Sequence, residues 1–381
     1  MIRLTIPSIE ADDLAAVREV LATGFLVQGP RVAAFERALA EYLGVRHAIA
    51  VSNCTAALHL ALLALDVRPG DLVIVTAYSY TATANVIELC AAQPVFVDIQ
   101  PDTFNMAPDR LAETLERLAA TRAALGRVRA ILPVHTFGQP ADMPAIMAIA
   151  DRYGIPVVED AACALGARLA GRPAGAWGAL GCFSFHPRKA ITTGEGGLIV
   201  TDRDDLAWRL RALRNHGQDP DAAGPDFVMP GFNYRLTEFQ AALGLTQLAK
   251  LDRIIAARRE RADRYDQLLA GSAVQPPAVA PGAVPVYQSY VVLLPPAAAA
   301  GRGDLIGRLR REGIETTIGT WHMPMTTYFR ARYGYRPGDF PVTDDVFARS
   351  LTLPLHETLT AEEQAQVVGR LHDALAVALR P

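Results

Sequence analysis

Gly181-Cys-Phe-Ser-Phe-His-Pro-Arg-Lys-Ala-Ile-Thr-Thr-Gly-Glu-Gly-Gly197 is the stretch from which the rest of the chain can be read. The apolar run Leu180 to Phe185 predicts a strand, and Gly197 to Thr201 predicts another. Too few residues separate the two for a helical crossover, so one of this pair should run antiparallel to its neighbour. On the turn between them sits Lys189. The chain holds 37 basic residues, of which only Lys189 and Lys250 are lysines and the other 35 are arginines. Arginine stays protonated, whereas a desolvated lysine amine can lose its proton and attack a carbonyl. A lysine kept beside a glycine-rich turn is therefore a candidate nucleophile.

Working outward, strands and helices alternate. Helical spacing covers residues 9 to 22 and Arg31 to Leu43, joined by a loop at residues 24 to 30. Strands are predicted at His47–Val51, Leu72–Thr76, Pro94–Asp98, Ala130–Val134 and Pro156–Val158, ahead of the pair around Lys189. Helices are predicted at Ala56–Leu65, from about Thr83 to Leu89, and at Pro108–Leu118, Met143–Tyr153, Asp204–Arg214 and Thr237–Leu269. This pitch predicts an α/β fold with a mostly parallel, seven-stranded sheet covered on both faces. Residues 271 to 285, rich in Pro, Ala and Gly, read as a connector. A smaller α/β part follows, with strands Val286–Leu294 and Glu315–Ile318, a helix Asp304–Glu312, a loop at Trp321–Pro324 and a last helix Ala361–Leu379. The expected division is a large domain at 1–250 and a small one at 251–381.

The totals bound the function. A chain of 381 residues with 51% hydrophobic content can build a sizeable core. A net charge of −3 without blocks of like charge forecasts neither nucleic-acid nor anionic-membrane binding. Cys54, Cys90, Cys163 and Cys182 have neither zinc-site nor disulfide-framework spacing, which suits a reducing compartment. No metal site is expected. The first residues lack the pattern of a secretory signal and no apolar run reaches 18 residues, so a cytoplasmic location is expected.

In an open parallel sheet, ligands sit beyond the carboxyl ends of the strands. There this chain places Ser52, Asn53 and Thr55, then Tyr78 and Tyr80, His135, Asp160, and finally Ser184, His186 and Lys189. The turn before the helix at Ala56 can cradle an anion with free backbone N–H groups. With a flat aromatic, a strand-end carboxylate and an amine, the inventory fits pyridoxal phosphate. Lys189 would form the Schiff base, Asp160 would stabilise the protonated ring nitrogen, and Tyr80 would offer a stacking face. Thr55, Ala56 and Ser184 would supply donors to the phosphate.

Five separated motifs, spread over nearly the whole chain, give it a resemblance to the DegT/StrS-type (nucleotide-sugar) aminotransferases of fold type I. Val51-Ser-Asn-Cys-Thr-Ala-Ala-Leu-His-Leu60 is similar to the family's phosphate-binding element, and Ser79-Tyr-Thr-Ala-Thr-Ala-Asn85 to its aromatic stacking segment. Val158-Glu-Asp-Ala-Ala162 resembles the segment whose Asp meets the ring nitrogen and whose second Ala, Ala162, packs on the ring. Phe183 to Lys189 with Thr192 to Gly197 resembles the Schiff-base segment. Gly231-Phe-Asn-Tyr-Arg-Leu236 resembles the element whose Asn, here Asn233, reaches the cofactor phosphate of the neighbouring subunit.

The resemblance implies a homodimer with shared active sites. It also implies a ping-pong transfer from glutamate or glutamine to a keto-sugar, nucleotide-linked at a 3- or 4-keto hexose, through pyridoxamine phosphate. Two departures stand out: Cys163 replaces the usual Gln or His near the cofactor's phenolic oxygen, and Cys54 replaces a glycine of the phosphate turn. A His-x-Pro…His pattern that helps hold the sugar is here His322-Met-Pro324 with Tyr328 near the second position. His186, His322 and Tyr328 are the candidate substrate contacts, while His135 and His216 can be read as core or as site residues, with the core reading favoured. A keto-cyclitol or other biosynthetic ketone as acceptor is the alternative reading, and a cofactor-binding regulator without turnover is the other.

Overall fold

The computed structural model describes residues 1–378. Seven strands form the central sheet: β1 (His47–Val51), β2 (Leu72–Thr76), β3 (Gln93–Val97), β4 (Val128–Leu132), β5 (Val158–Asp160), β6 (Leu180–Ser184) and β7 (Gly197–Thr201). β3, β2 and β4 pair in parallel, and the parallel bridges Ile131–Val157 and Val134–Asp160 join them to β5. From there the order runs β5, β6, β7, β1, with β7 antiparallel to both its neighbours. The short connection between β6 and β7 thus has the predicted consequence. β5 begins two residues later than the sequence suggested, since Val157 enters only through an isolated bridge.

Helices cover both faces. They are α1 (Ala11–Thr23), α2 (Pro30–Leu43), α3 (Cys54–Ala64), α4 (Ala82–Leu89), α5 (Pro108–Ala119), α6 (Met143–Tyr153), α7 (Asp204–Arg214) and α8 (Glu238–Leu269). α3 is the central helix, with Ala57, Leu58, Leu60, Ala61 and Leu62 fully enclosed beneath the β1, β6 and β7 side chains. Its all-round apolar sequence, which lacks a clear stripe, is what a helix buried on every side requires. α3 also starts two residues earlier than expected, because Asn53 caps it by accepting the Ala56 N–H at 2.8 Å. On the other face α2 and α8 cross closely: a Cβ on Gly244 would lie 2.5 Å from the Phe35 ring. The buried Glu238 carboxylate fastens the two helices together by accepting N–H groups of Gly29, Arg31 and Val32 at 2.8–2.9 Å.

α8 passes residue 250 without a break. Its first half (Ala241, Leu251, Ile254, Ile255) packs with the α2 and β7 core. Its second half (Ala262, Tyr265, Leu269) packs with a C-terminal core that includes Val292, Leu309, Leu353 and Leu371. That core is built on a three-stranded antiparallel sheet of β8 (Tyr290–Leu293), β9 (Thr317–Ile318) and β10 (Ser350–Leu353), in the order β8-β10-β9. α9 (Arg302–Arg311) and α10 (Ala361–Ala378) cover it; the predicted end of α10, Leu379, lies outside the described residues. β8 is shorter than expected, because Val286–Ser289 leaves the sheet to pack against residues 137–138. β10, with the helices Thr327–Tyr333 and Pro341–Arg349, was not anticipated. The presumed loop at Trp321–His322 is a two-residue strand paired with Tyr78–Ser79.

Candidate active site

A cavity of about 900 Å³ opens at the carboxyl end of the sheet. Its wall includes Thr55, Ala56, Tyr80, Asp160, Ala162, Cys163, Ser184, His186 and Lys189, which are all but three of the predicted site residues. Parallel strands bring their C-termini to one edge, and that alone gathers residues 55, 80, 160 and 184.

Asp160 ends β5 and is 4% exposed. Thr83 of α4 donates its hydroxyl to Oδ2 at 2.8 Å, and the Ala162 N–H reaches Oδ1 at 3.1 Å. Ser79 and Thr83 oxygens lie 2.9 Å apart; with the Thr83 proton given to Asp160, Ser79 must be the donor in that pair. Burial raises the Asp160 pKa even against these donors and Lys189. The carboxylate is therefore short of positive charge, and a cation beside it would relieve the deficit.

The turn after β6 carries the amine. Lys189 N–H closes it on the His186 carbonyl at 2.8 Å. The Nζ atom donates to the Cys163 sulfur at 3.1 Å. Burial works against the Lys189 ammonium, but Cys163, Cys54 and Asp160 together outweigh it and raise its pKa. His186 fixes the turn from within by accepting the Arg188 N–H at Nδ1 over 3.2 Å. Burial lowers the His186 pKa, so the ring faces the cavity neutral.

The anion cradle lies at the start of α3. Asn53 occupies the Ala56 N–H, and the exposed Thr55 hydroxyl has no partner among the described residues. Ser184 accepts the His186 N–H at 3.3 Å, which leaves its own hydroxyl proton to donate. The cradle needs a glycine behind it: a Cβ on Gly197 would come within 2.4 Å of the Asn53 carbonyl and 2.8 Å of the Cys54 nitrogen.

The last wall comes from the C-terminal part. Gln288, Ser289, Gly319 and Thr320 line the cavity. Val286 N–H donates to the Gly138 carbonyl at 3.1 Å, and the Gln288 side chain donates to the Arg188 carbonyl. Gly138, at φ +91°, has no room for a Cβ, which would lie 2.9 Å from the Gln288 nitrogen. Buried Arg258 holds the same segment by donating to the Tyr287 and Gln288 carbonyls at 3.3 Å.

Three predicted residues lie elsewhere. His322 is buried off the cavity wall, its Nε2 3.0 Å from Asp344. Tyr328 is exposed and donates to Glu88 at 3.0 Å. Asn233 is exposed and does not line the cavity of its own chain, whereas Tyr234 beside it does. His135 resolves as a core residue: its Nδ1 accepts the Ala141 N–H, so Nε2 donates to Glu159 at 2.9 Å with both side chains fully enclosed. His216 is not on the wall either.

Sequence reasoning missed Thr83, Gln288, Ser289 and Thr320. For Thr83 the signal was spacing: one helical turn past Ser79, on the first turn of α4. No pattern marks the other three.

These residues fit pyridoxal phosphate. Lys189 Nζ opens on the same cavity as the under-compensated Asp160 carboxylate, and hydroxyl and helix N-terminal donors lie on a third side.

Comparison with known proteins agrees. The family model for the DegT/DnrJ/EryC1/StrS aminotransferase family matches residues 7–372. The chain is 39% identical over 378 residues to the GDP-perosamine synthase of Caulobacter vibrioides, covering 98% of each. Among solved structures, a DegT DnrJ EryC1 StrS aminotransferase from Brucella abortus superposes with a TM-score of 0.86 at 36% identity, covering 95% of both chains. NtdA from Bacillus subtilis, solved with bound cofactor PMP, superposes with a TM-score of 0.84 at 31% identity, covering 96% of this chain and 81% of that one.

Proposed function

The chain belongs to the DegT/DnrJ/EryC1/StrS aminotransferase family, and from that premise we propose that it transfers an amino group from glutamate or glutamine to a nucleotide-linked keto-sugar. The observation that carries the reading is the convergence of Lys189, Asp160 and the α3 cradle on one cavity. Its volume exceeds what the cofactor alone needs, and the relative named for a GDP-linked amino sugar favours a nucleotide on the acceptor.

Bound there, pyridoxal phosphate supplies an aldehyde that condenses with amines and a protonated ring that takes up the electron pair left at an amino acid's α-carbon. Lys189 Nζ would hold it and, once released, carry a proton at Nζ between the substrate carbon and the cofactor. Asp160 would keep the ring nitrogen protonated by charge, with its oxygen held by Thr83, which Ser79 backs. Thr55 and Ser184 would take the phosphate, with the α3 N-terminus behind them. Ala162 and Tyr80 offer surfaces for the ring. Gln288, Ser289 and Thr320 close the cavity and limit water.

The chain would act as a homodimer. Asn233 is exposed and off the wall of its own cavity, which suits a contact to the neighbour's, and Phe25, Leu26, Val27, Phe227 and Val228 are exposed apolar side chains that association would cover. The division into 1–250 and 251–381 is our proposal, although α8 leaves the first core only between Ile255 and Ala262, past residue 250. A cytoplasmic location is proposed from the free cysteines; among the described residues no helix is long and apolar enough to cross a membrane.

The test is spectroscopic. Glutamate or glutamine should bleach the yellow holoenzyme to the amine form of the cofactor, and a panel of nucleotide-linked keto-sugars should restore the colour with an aminated product of the expected mass. A holoenzyme that responds to neither donor would overturn the reading.

A further inference from the structure

The charge on the cavity wall is unbalanced in a way that the cofactor does not explain. Four basic side chains line the cavity: His59, His186, Arg188 and Lys189. Burial lowers the pKa of both histidines, which leaves them neutral near pH 7. Lys189 is committed to the cofactor under the reading above. Arg188 is then the one permanent cation that this chain's described residues present to whatever else enters. The wall's carboxylates are Asp160, committed to Thr83 and Ala162, and Glu195, 4.0 Å from His186.

Arg188 is also held where a binding residue would be. Its N–H goes to His186 Nδ1 and its carbonyl accepts from Gln288, so the backbone is clamped from both parts of the chain. The guanidinium has no hydrogen-bond or ion-pair partner among the described residues. A fixed backbone with a free planar fork, one residue before the reactive amine, is a geometry for bidentate capture of a carboxylate or phosphate.

We propose that Arg188 is a specificity-determining residue that binds an anionic group of the substrates, the carboxylate of the amino donor or the diphosphate of the acceptor. The inference rests on the aminotransferase reading and deepens it. Under the same reading the cofactor phosphate has other donors at Thr55, Ser184 and the α3 N-terminus.

The experiment compares wild-type holoenzyme with Arg188→Gln and Arg188→Lys. Cofactor content and visible absorbance are measured first, then the glutamate half-reaction at increasing glutamate, then binding of GDP and of UDP as acceptor probes. The expected result is about a 10- to 100-fold weaker apparent affinity for at least one of these anions in Arg188→Gln. The limiting half-reaction rate and the cofactor content should stay near wild type, and Arg188→Lys should recover part of the affinity. A change confined to glutamate assigns the carboxylate, and one confined to the nucleotides assigns the diphosphate. Binding that weakens with salt in wild type should lose that dependence in Arg188→Gln. Unchanged affinities for all probes, or loss of cofactor in place of substrate affinity, would overturn the proposal. Failure of the wild type to react with any amino donor would instead sink the aminotransferase reading, and the nucleotide arm would still report on Arg188.

Discussion

Lys189 Nζ and the Cys163 sulfur lie 3.1 Å apart across the cavity floor. On the proposed site the thiol lies beside the docking position of the cofactor, so occupancy should protect it. Without cofactor, iodoacetamide should label Cys163 first; the holoenzyme should label there far more slowly. Cys90 and Cys182 are buried, and burial pushes the Cys90 thiol up to about 12, so both should stay unmodified in the folded protein. Burial also raises the Cys54 thiol well above its ordinary value, which ranks it behind Cys163. Peptide mass mapping gives the order, and equal labelling of Cys163 with and without cofactor would place the cofactor elsewhere.

Lys189→Arg keeps the positive charge and removes the transferable proton and nucleophile. Turnover should fall by at least about a thousand-fold, while cofactor can still bind through the cradle. Borohydride reduction of wild-type holoenzyme should fix the cofactor mass on the peptide bearing Lys189 and on no other.

Thr83 donates its hydroxyl to the Asp160 carboxylate. Thr83→Val deletes a hydrogen bond to a buried carboxylate and should cost about 10-fold in turnover. Asp160→Asn removes the charge itself and should cost roughly 100-fold or more. The two losses should be less than additive when combined, because both act on the same oxygen. Full additivity in the double variant would separate Thr83 from Asp160.

Glu159 is fully buried and does not line the cavity. Its carboxylate gathers the N–H groups of Gly175, Trp177 and Gly178 at 2.6–2.8 Å and also binds His135. Glu159→Gln should therefore lower stability by about 2–4 kcal/mol, read as an earlier denaturant midpoint, with the half-reaction of the surviving holoenzyme little changed.

Burial alone holds the His59 pKa below its ordinary value of 6.5. On acidification the unfolded chain takes the proton first, so stability is present above that value and is lost as pH falls toward the folded one. His186, His322 and His356 are shifted the same way, so the melting temperature should drop between pH 7.5 and 5.5. His59→Gln should shrink that drop by about 1–3 °C. An unchanged drop would mean that His59 is protonated in the folded state.

The sheet, the lysine turn and Asp160 were legible because each writes a local pattern: apolar runs ending in small or polar turns, and a lysine where arginine is otherwise used. The wall from the C-terminal part was not. Gln288 reaches the cavity through a segment that lies ahead of its strand, with Tyr287 at φ 46°, and Thr320 from the short turn after β9; no periodicity announces either. The position of His322 was no more legible: pairing of Trp321–His322 with Tyr78–Ser79 sets it beside Asp344, buried and off the cavity wall. Cys54 was read as part of a turn and proved to be the first residue of α3, because the Asn53 cap sets the helix start.

The clamp of Gln288 on the lysine turn bears on how the protein is made. At about 5–20 residues per second, the segments carrying Asn53 and Lys189 leave the ribosome well before those carrying Gln288 and Thr320. The strand Tyr78–Ser79 likewise waits for Trp321–His322 to complete its ladder. A nascent chain can build the cradle and expose the amine, but it cannot enclose a ligand until its last third has been translated. Capture of the cofactor therefore belongs to the end of synthesis or after it, and shortage of cofactor should leave a folded, refillable pool rather than stalled or misassembled chains.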